Sequence, residues 1–485
     1  MAVPLACVPP TSGDRWCQTL IQKLTLVKFY RTLGSTRGHR APFSRRRHLT
    51  YMKDTTIVIG AGITGLTAAH TLKEAGRDVV VLEASNRPGG RIVRLTRKGD
   101  AAEGGAQGIH SNYREMLKLV NSYGLSQDLM PQSNVQAGYL DRRGNIQFPQ
   151  GNLGLAKLLG LRGTLDLTWF TIRYLAMSKR FSFFETEKDI PEYDNVSAAD
   201  AFSWAGSNFK DFVLRPAAHG MANTTAEHTN LYHTLNLIKM FGTSKVMTLR
   251  TGNVTLAERM AKRVNVQYET AVSKILTNRG KVEGVLLENG TTLSAKHVIV
   301  ACSIDRAAEL VPDGMQTAKE FLSSFPNAPF SLVYFFLDRP LQTEAFVYMG
   351  HAYRDTVFNM ALNHTVKTPH LVPSGKGIIS AWPCYPDAAR LAQQSESDLI
   401  IQALRDVEAF FPGISQWVDE ARVQRHTWGV GRFAPGQHAK ILAFKKEAES
   451  FDGISFAGND YDGVHMESGV RGGLRAAERA LKGNK

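Results

Sequence analysis

The stretch from Thr55 to Glu83 constrains this chain more than any other feature. Thr55-Thr56-Ile57-Val58-Ile59 is a β-branched run and predicts a short strand buried on both faces. Gly60-Ala61-Gly62-Ile63-Thr64-Gly65 follows at once in G-x-G-x-x-G spacing. Leu66, Ala69 and Leu72 then recur at helical spacing, and Gly76 is placed to end the helix. Val79–Leu82 predicts a second buried strand, which closes on Glu83. A β–α–β unit of this kind is a pyrophosphate cradle. Gly60 makes the tight turn, Gly62 lets the backbone approach the ligand, and Gly65 lets the helix pack on the sheet. Ile63 and Thr64 open the helix, whose unpaired N–H groups and dipole favour negative charge. Glu83 is placed to accept from an adenosine ribose and disfavours a 2′-phosphate, so NADP is not expected. The competing reading is a glycine turn that holds nothing.

The next residues turn the choice from NAD to FAD. Glu83-Ala84-Ser85-Asn86-Arg87-Pro88-Gly89-Gly90-Arg91 resembles the L-E-A-x-x-R-x-G-G-R signature of the flavin amine oxidase superfamily. That group includes monoamine oxidases, protoporphyrinogen oxidases and phytoene desaturases. The resemblance adds Ala84, Gly89 and Gly90 to the candidate site. Arg87 and Arg91 become donors to phosphate or flavin oxygens. Arg250–Leu256 resembles the segment that re-enters the FAD domain, and Val272 stands where the family contacts adenine through its backbone. Val282–Leu287 with Gly290–Leu293 reads as a hairpin, and His297–Ala301 as a buried strand. At the C-terminus, Ile454–Gly458, Asn459-Asp460-Tyr461 and the helix opening at Met466-Glu467 resemble the family's last motif. There Gly458 and Asp460 are implied to meet the ribityl or phosphate region, and Met466 the flavin pyrimidine. Asn459 looks like an insertion, and Ser468-Gly469 stand where the family has Gly and Ala. The likeness runs from about Thr55 to Leu481.

The implied architecture is α/β: a Rossmann-type, glutathione-reductase-like FAD-binding domain with an interleaved mixed α/β substrate domain. Residues 53–109, 246–324 and 431–485 are assigned to the first, 110–245 and 325–430 to the second. Phe330–Leu337 reads as a strong buried strand ended by Pro340. Leu155–Phe184 is read as a core-packing helix pair, with a membrane-touching surface or an apolar substrate mouth as the sharper alternative. Glu103–Gln107 resembles a loop passing beside the flavin. Many amine oxidases carry a lysine in the strand that resembles Phe330–Leu337, where this chain has Ser331 and Leu332. That departure, with Ala434-Pro435-Gly436-Gln437 after Trp428, moves the resemblance toward protoporphyrinogen oxidases and carotenoid desaturases. His465 is a candidate neighbour of the flavin, read first as a packing residue. No catalytic side chain beyond the flavin is assigned.

Composition excludes other classes. The net charge is +14, but residues 1–52 hold nine Lys/Arg and one acid, Asp14, leaving about +6 for the body. No nucleic-acid partner is expected. The basic tail reads as a mitochondrial or plastid transit peptide, or as a non-native start ahead of Met52. In the second case a cytoplasmic or peripheral membrane location is expected. Cys7, Cys17, Cys302 and Cys384 have no zinc spacing, so no metal is expected. None lies near the last motif, so FAD is expected to be held non-covalently. The expected activity is hydride removal from a small, apolar substrate at a C–C bond, with oxygen or a quinone as acceptor. The alternatives are C–N oxidation of an amine or amino acid, an inactive FAD-binding scaffold, and an NAD-dependent dehydrogenase.

Overall fold

The structure, a computed structural model, describes residues 55–132, 137–141, 143–175, 184–186, 190–350 and 356–483. The basic tail to Met52 and the segment 176–183 lie outside these residues. Five short strands form one parallel sheet: β1 (Thr56–Ile59), β2 (Val79–Leu82), β3 (Asn265–Gln267), β4 (His297–Val300) and β5 (Ile454–Phe456). Their order is β3-β2-β1-β4-β5. β1, β2 and β4 are buried throughout, because apolar layers cover both faces. Val58 and Val81 face one layer, Ile57 and Val80 the other.

Helix α1 (Ile63–Glu74) follows β1, and α2 (Met466–Lys482) packs along it. The packing rests on missing side chains. A Cβ on Gly65 would lie 2.0 Å from the Gly60 carbonyl oxygen, and one on Gly473 2.4 Å from the Thr64 oxygen. The spacing glycines therefore set how near helix, loop and sheet stand.

A second sheet has seven strands in the order Val418–Gly431, Asn327–Leu337, Ile378–Trp382, Met360–Asn363, Val347–Met349, Ala137–Leu140 and Ile146–Gln147. All its pairings are antiparallel except Val347–Met349 with Ala137–Leu140. The expected strand at Phe330–Leu337 is present and begins earlier, at Asn327. Its alternation splits two cores: Val333, Phe335 and Leu337 face one, Leu332, Tyr334 and Phe336 the other. The chain leaves and returns side by side, since Ile109–His110 pairs with Val246–Leu249. The whole is a mixed α/β fold.

The apolar segment after Leu155, read as a core-packing helix pair or as an outward apolar surface, has both a buried and an outward face. Its helix spans Gly151–Phe170, kinks at Gly160, and runs into a π turn over Thr171–Leu175. Leu159, Phe170 and Tyr174 are buried, whereas Leu161, Leu165, Trp169 and Ile172 face outward.

Gly65→Ala is expected to destabilise the protein by about 1–3 kcal/mol through overpacking and to weaken FAD retention. Urea unfolding and the flavin-to-protein absorbance ratio measure both. Gly76→Ala tests a different constraint: its Cβ would meet no neighbour within 4 Å, so its cost comes from the positive φ of +74°. FAD should be retained in that variant.

Candidate functional site

A cavity of about 600 Å³ opens where β1, β2 and β4 end and the second sheet approaches. The chain turns off β1 at Gly60, whose φ of +104° and distance of 2.8 Å from a built Cβ to the Ala301 oxygen admit only glycine. α1 begins at Ile63 with Gly62 as its N-cap, no side-chain cap and no acid in the first turn. Its first N–H groups therefore have no anionic competitor and suit a phosphate. A Cβ on Gly62 would meet nothing within 4 Å, and Gly90 faces the Gly62 Cα. The two glycine loops are joined where Gly89 N–H donates to Ala61 O at 2.9 Å. Glu83 lies on the wall and accepts from Ala61 N at 2.7 Å and from Ser85 N at 2.9 Å. The donor set, the open glycine cradle and the uncapped helix fit a dinucleotide.

The wall gathers Gly60, Gly62, Ile63, Thr64, Glu83, Ala84, Gly89, Gly90, Arg91, Val272, Gly458 and Met466, from segments far apart in sequence. Gly65, Arg87 and Asp460 lie off it. Gly65 sits beneath, against Gly60. The Arg87 guanidinium donates to Gly90 O (3.0 Å), Pro88 O (3.2 Å) and Ile92 O (3.4 Å), so it braces its own loop. Asp460 stands behind the wall. It is buried, pairs with Arg91 at 2.8 Å and accepts from Gly431 N at 3.2 Å. Its neighbour Asn459, read as an insertion, occupies the wall instead and accepts from Arg91 at 2.6 Å. Arg91 further donates to Gly429 O at 3.0 Å.

α2 starts at the wall with His465 as N-cap and no side-chain cap. Glu467 turns away from the cavity. Its carboxylate accepts from Glu115 N (3.0 Å) and Met116 N (2.9 Å), capping the helix Arg114–Ser122, and pairs with Arg471.

The rest of the wall comes from outside the parallel sheet: Phe330, Trp382, His219, Asn223, Tyr113 and His110 among them. Phe330 and Trp382 meet edge to face at 5.8 Å. Burial pushes His219 down to about 3, His110 down to about 4, and His465 well below the usual histidine range, so all three are neutral imidazoles. Among the described residues, Glu83 is the sole carboxylate on the wall.

Sequence reasoning missed Lys367. It is buried and donates to Gln107 Oε1 at 2.5 Å and Gln107 O at 3.0 Å. Gln107 in turn donates to Glu103 O and Gly105 O, and its segment Gly105–Gly108 forms wall. Burial lowers the lysine to about 8 and, alongside it, raises Glu103 to about 7. Lys367 follows the strand Met360–Asn363 as His-Thr-Val-Lys, which reads as a polar turn; only tertiary packing buries it. Ser331, where the lysine was sought, instead receives a hydrogen bond from Arg425 at 3.3 Å.

Comparison with known proteins agrees with this geometry. The chain is similar to the coproporphyrinogen III oxidase of Bacillus subtilis (strain 168), 23% identical over 471 residues, covering 88% of this chain and 98% of that one. It is also similar to an L-amino-acid oxidase of Sistrurus catenatus edwardsii, 24% identical and covering 87% and 86% of the two chains. Among solved structures, one described as a protoporphyrinogen oxidase from Exiguobacterium sp. 255-15 superposes with a TM-score of 0.70 at 20% identity, over 89% of this chain and 99% of that one. A wild-type putrescine oxidase bound to putrescine gives 0.71 at 17%, over 89% and 99%. The model of the flavin containing amine oxidoreductases matches residues 63–481. The chain belongs to that family and is an FAD-dependent oxidoreductase.

Proposed function

We propose that this enzyme removes hydride from a largely apolar substrate without an ammonium group, at a carbon–carbon bond, with a porphyrinogen or carotenoid precursor as the substrate class. In this reading the parallel sheet is a Rossmann-type, glutathione-reductase-like FAD domain. The wall residues of the two glycine loops, with Glu83, Val272, Asn459 and Met466, hold FAD without a covalent link. FAD, when bound, supplies the hydride acceptor. Oxygen or a quinone then takes the electrons.

The composition of the cavity wall carries the reading. Its one carboxylate, Glu83, is engaged with Ala61 and Ser85 beside the glycine loop. The far wall offers Phe330, Trp382, neutral histidines and the cationic Arg425. An ammonium group buried there would lack a counter-charge, at a cost of about several kcal/mol. A substrate without an ammonium group incurs no such cost. The chain's residues do the positioning. The aromatic pair packs the substrate and excludes water, and the open N-terminus of α2 favours negative charge at the wall. Lys367, acting through Gln107, fixes the Gly105–Gly108 segment. The names of the relatives divide between both chemistries, so amine or amino-acid oxidation is the second reading, with the amine entering as free base.

The visible spectrum of the purified protein, taken anaerobically, separates the readings. Protoporphyrinogen or a carotenoid precursor is expected to bleach the flavin bands, and protonated amines are not. Bleaching by amines alone would overturn the carbon-centred reading. Bleaching by nothing in the panel would favour an inactive FAD scaffold.

Lys367 gives a pH test. Its native value near 8 lies below the ordinary 10.5, so between those values the unfolded chain binds the extra proton. Stability should therefore rise with pH across that window, by up to about 3 kcal/mol from this group. Urea midpoints of wild type and Lys367→Met at the two ends of the window measure the difference. An identical pH dependence in both proteins would remove the lysine from the account.

A further inference from the structure

Seven large apolar side chains stand exposed among the described residues, and five belong to one segment: Leu153, Leu161, Leu165, Trp169 and Ile172. A sixth, Phe148, lies just ahead of it. Scattered exposed hydrophobics are ordinary, but a contiguous group is not. Leu161, Leu165, Trp169 and Ile172 follow at steps of four, four and three. At 100° per residue they fall within an arc of about 80°. Leu161 is 82% exposed and Ile172 63%.

The opposite face is firmly seated. Phe170 packs against Phe202 and Phe209 with ring centroids 5.6 and 5.8 Å apart. Leu159 and Gly163 are buried, and Asp166 accepts from Gly206 N at 2.8 Å. The helix is thus held so that its second apolar stripe points away from the protein.

Charge states what that stripe meets. The segment Gly151–Leu175 carries Lys157, Arg162 and Arg173, all exposed, and a single acid. That acid, Asp166, is buried and already paired with Arg162. Arg162 and Arg173 fall beside the apolar arc, on one flank. An apolar strip with a tryptophan and flanking cations is the pattern of a helix lying in a membrane interface, with cations at headgroup level. No helix among the described residues is long and apolar enough to cross a membrane. We propose that this face docks on an anionic bilayer surface, with Leu161, Leu165, Trp169 and Ile172 in the acyl boundary. The inference does not depend on the substrate reading.

Flotation of the full-chain holoprotein with vesicles tests it. Wild type should float with vesicles of phosphatidylcholine and phosphatidylserine, less with phosphatidylcholine alone, and less again as salt rises. L161Q/L165Q/W169Q should lose at least about tenfold in vesicle binding while keeping its flavin spectrum and melting temperature. Brominated lipid should quench tryptophan emission in wild type and much less in Trp169→Phe. Equal flotation of the triple variant would overturn the proposal and move binding to another surface, the basic tail included. A wild-type dimer that the triple variant converts to monomer, with no flotation of either, would overturn it in favour of contact between copies.

Discussion

The site depends on one buried ion pair. Arg91, from the second glycine loop, meets Asp460, which lies 369 residues further along the chain. The same guanidinium holds Asn459 and the backbone of Gly429, so it joins the second glycine loop, the last motif and the long edge strand of the second sheet. Those are three of the walls of the cavity. Arg91 keeps about a third of its side chain exposed, while Asp460 is almost fully enclosed. Its geometry is the kind that repays desolvation: two guanidinium nitrogens on the carboxylate and a backbone N–H from Gly431 on the other side. A buried pair of this sort adds little net stability, since apolar residues could fill the space. Loss of one partner is costly, because the other is left buried and charged. The pair therefore acts as a registry device, fixing how the two sheets meet.

Much of this was legible in the sequence where the cause is local. β1, the glycine turn, α1 and β2 follow from β-branched runs, helical spacing and glycine positions, each decided within a few residues. The close approach at Gly65 was expected for the reason now seen, a carbonyl where a Cβ would be. Where the ionic side chains turn has another cause. Arg87 and Asp460 stand at motif positions that the resemblance directs to the ligand, and Glu467 opens the last helix. Whether a charge faces a ligand or a protein group depends on what other segments bring near it. Arg87 turned to its own loop carbonyls, Asp460 to Arg91, and Glu467 to the N-terminus of another helix. The partners of Asp460 and Glu467 lie beyond the reach of any sequence window.

Lys367 shows the same limit from the other side. Its surroundings give no periodic signal, yet folding removes it from water and places it behind the loop that lines the cavity. Glu103 and Lys367 are both enclosed, and neither accepts nor donates directly to the other at ion-pair distance among the described contacts. Each is answered by neutral groups: Asn253 N–H for the acid, Gln107 for the amine. Burial then drives both toward their neutral forms, the acid upward and the amine downward. The amine holds the loop in place from behind the cavity wall through Gln107. The wall itself carries Arg91, Arg306 and Arg425 beside the neutral histidines, with Glu83 its sole carboxylate among the described residues. A chamber built to anchor an ammonium would need the reverse.

The helix Gly151–Phe170 explains why patterning alone left two readings of the same residues. Periodicity records that apolar side chains recur every three or four positions; it does not record how many faces they make. A single apolar face buries itself and leaves a polar back. This helix has two, one against Phe202 and Phe209 and one facing out. The buried face satisfies the ordinary demand of a core, so the fold holds without the second. The outward stripe is then a cost in water that the fold does not require, and random exposure would not arrange four large residues within one arc. Residues that the core does not need and water does not favour mark a surface shaped by a different solvent.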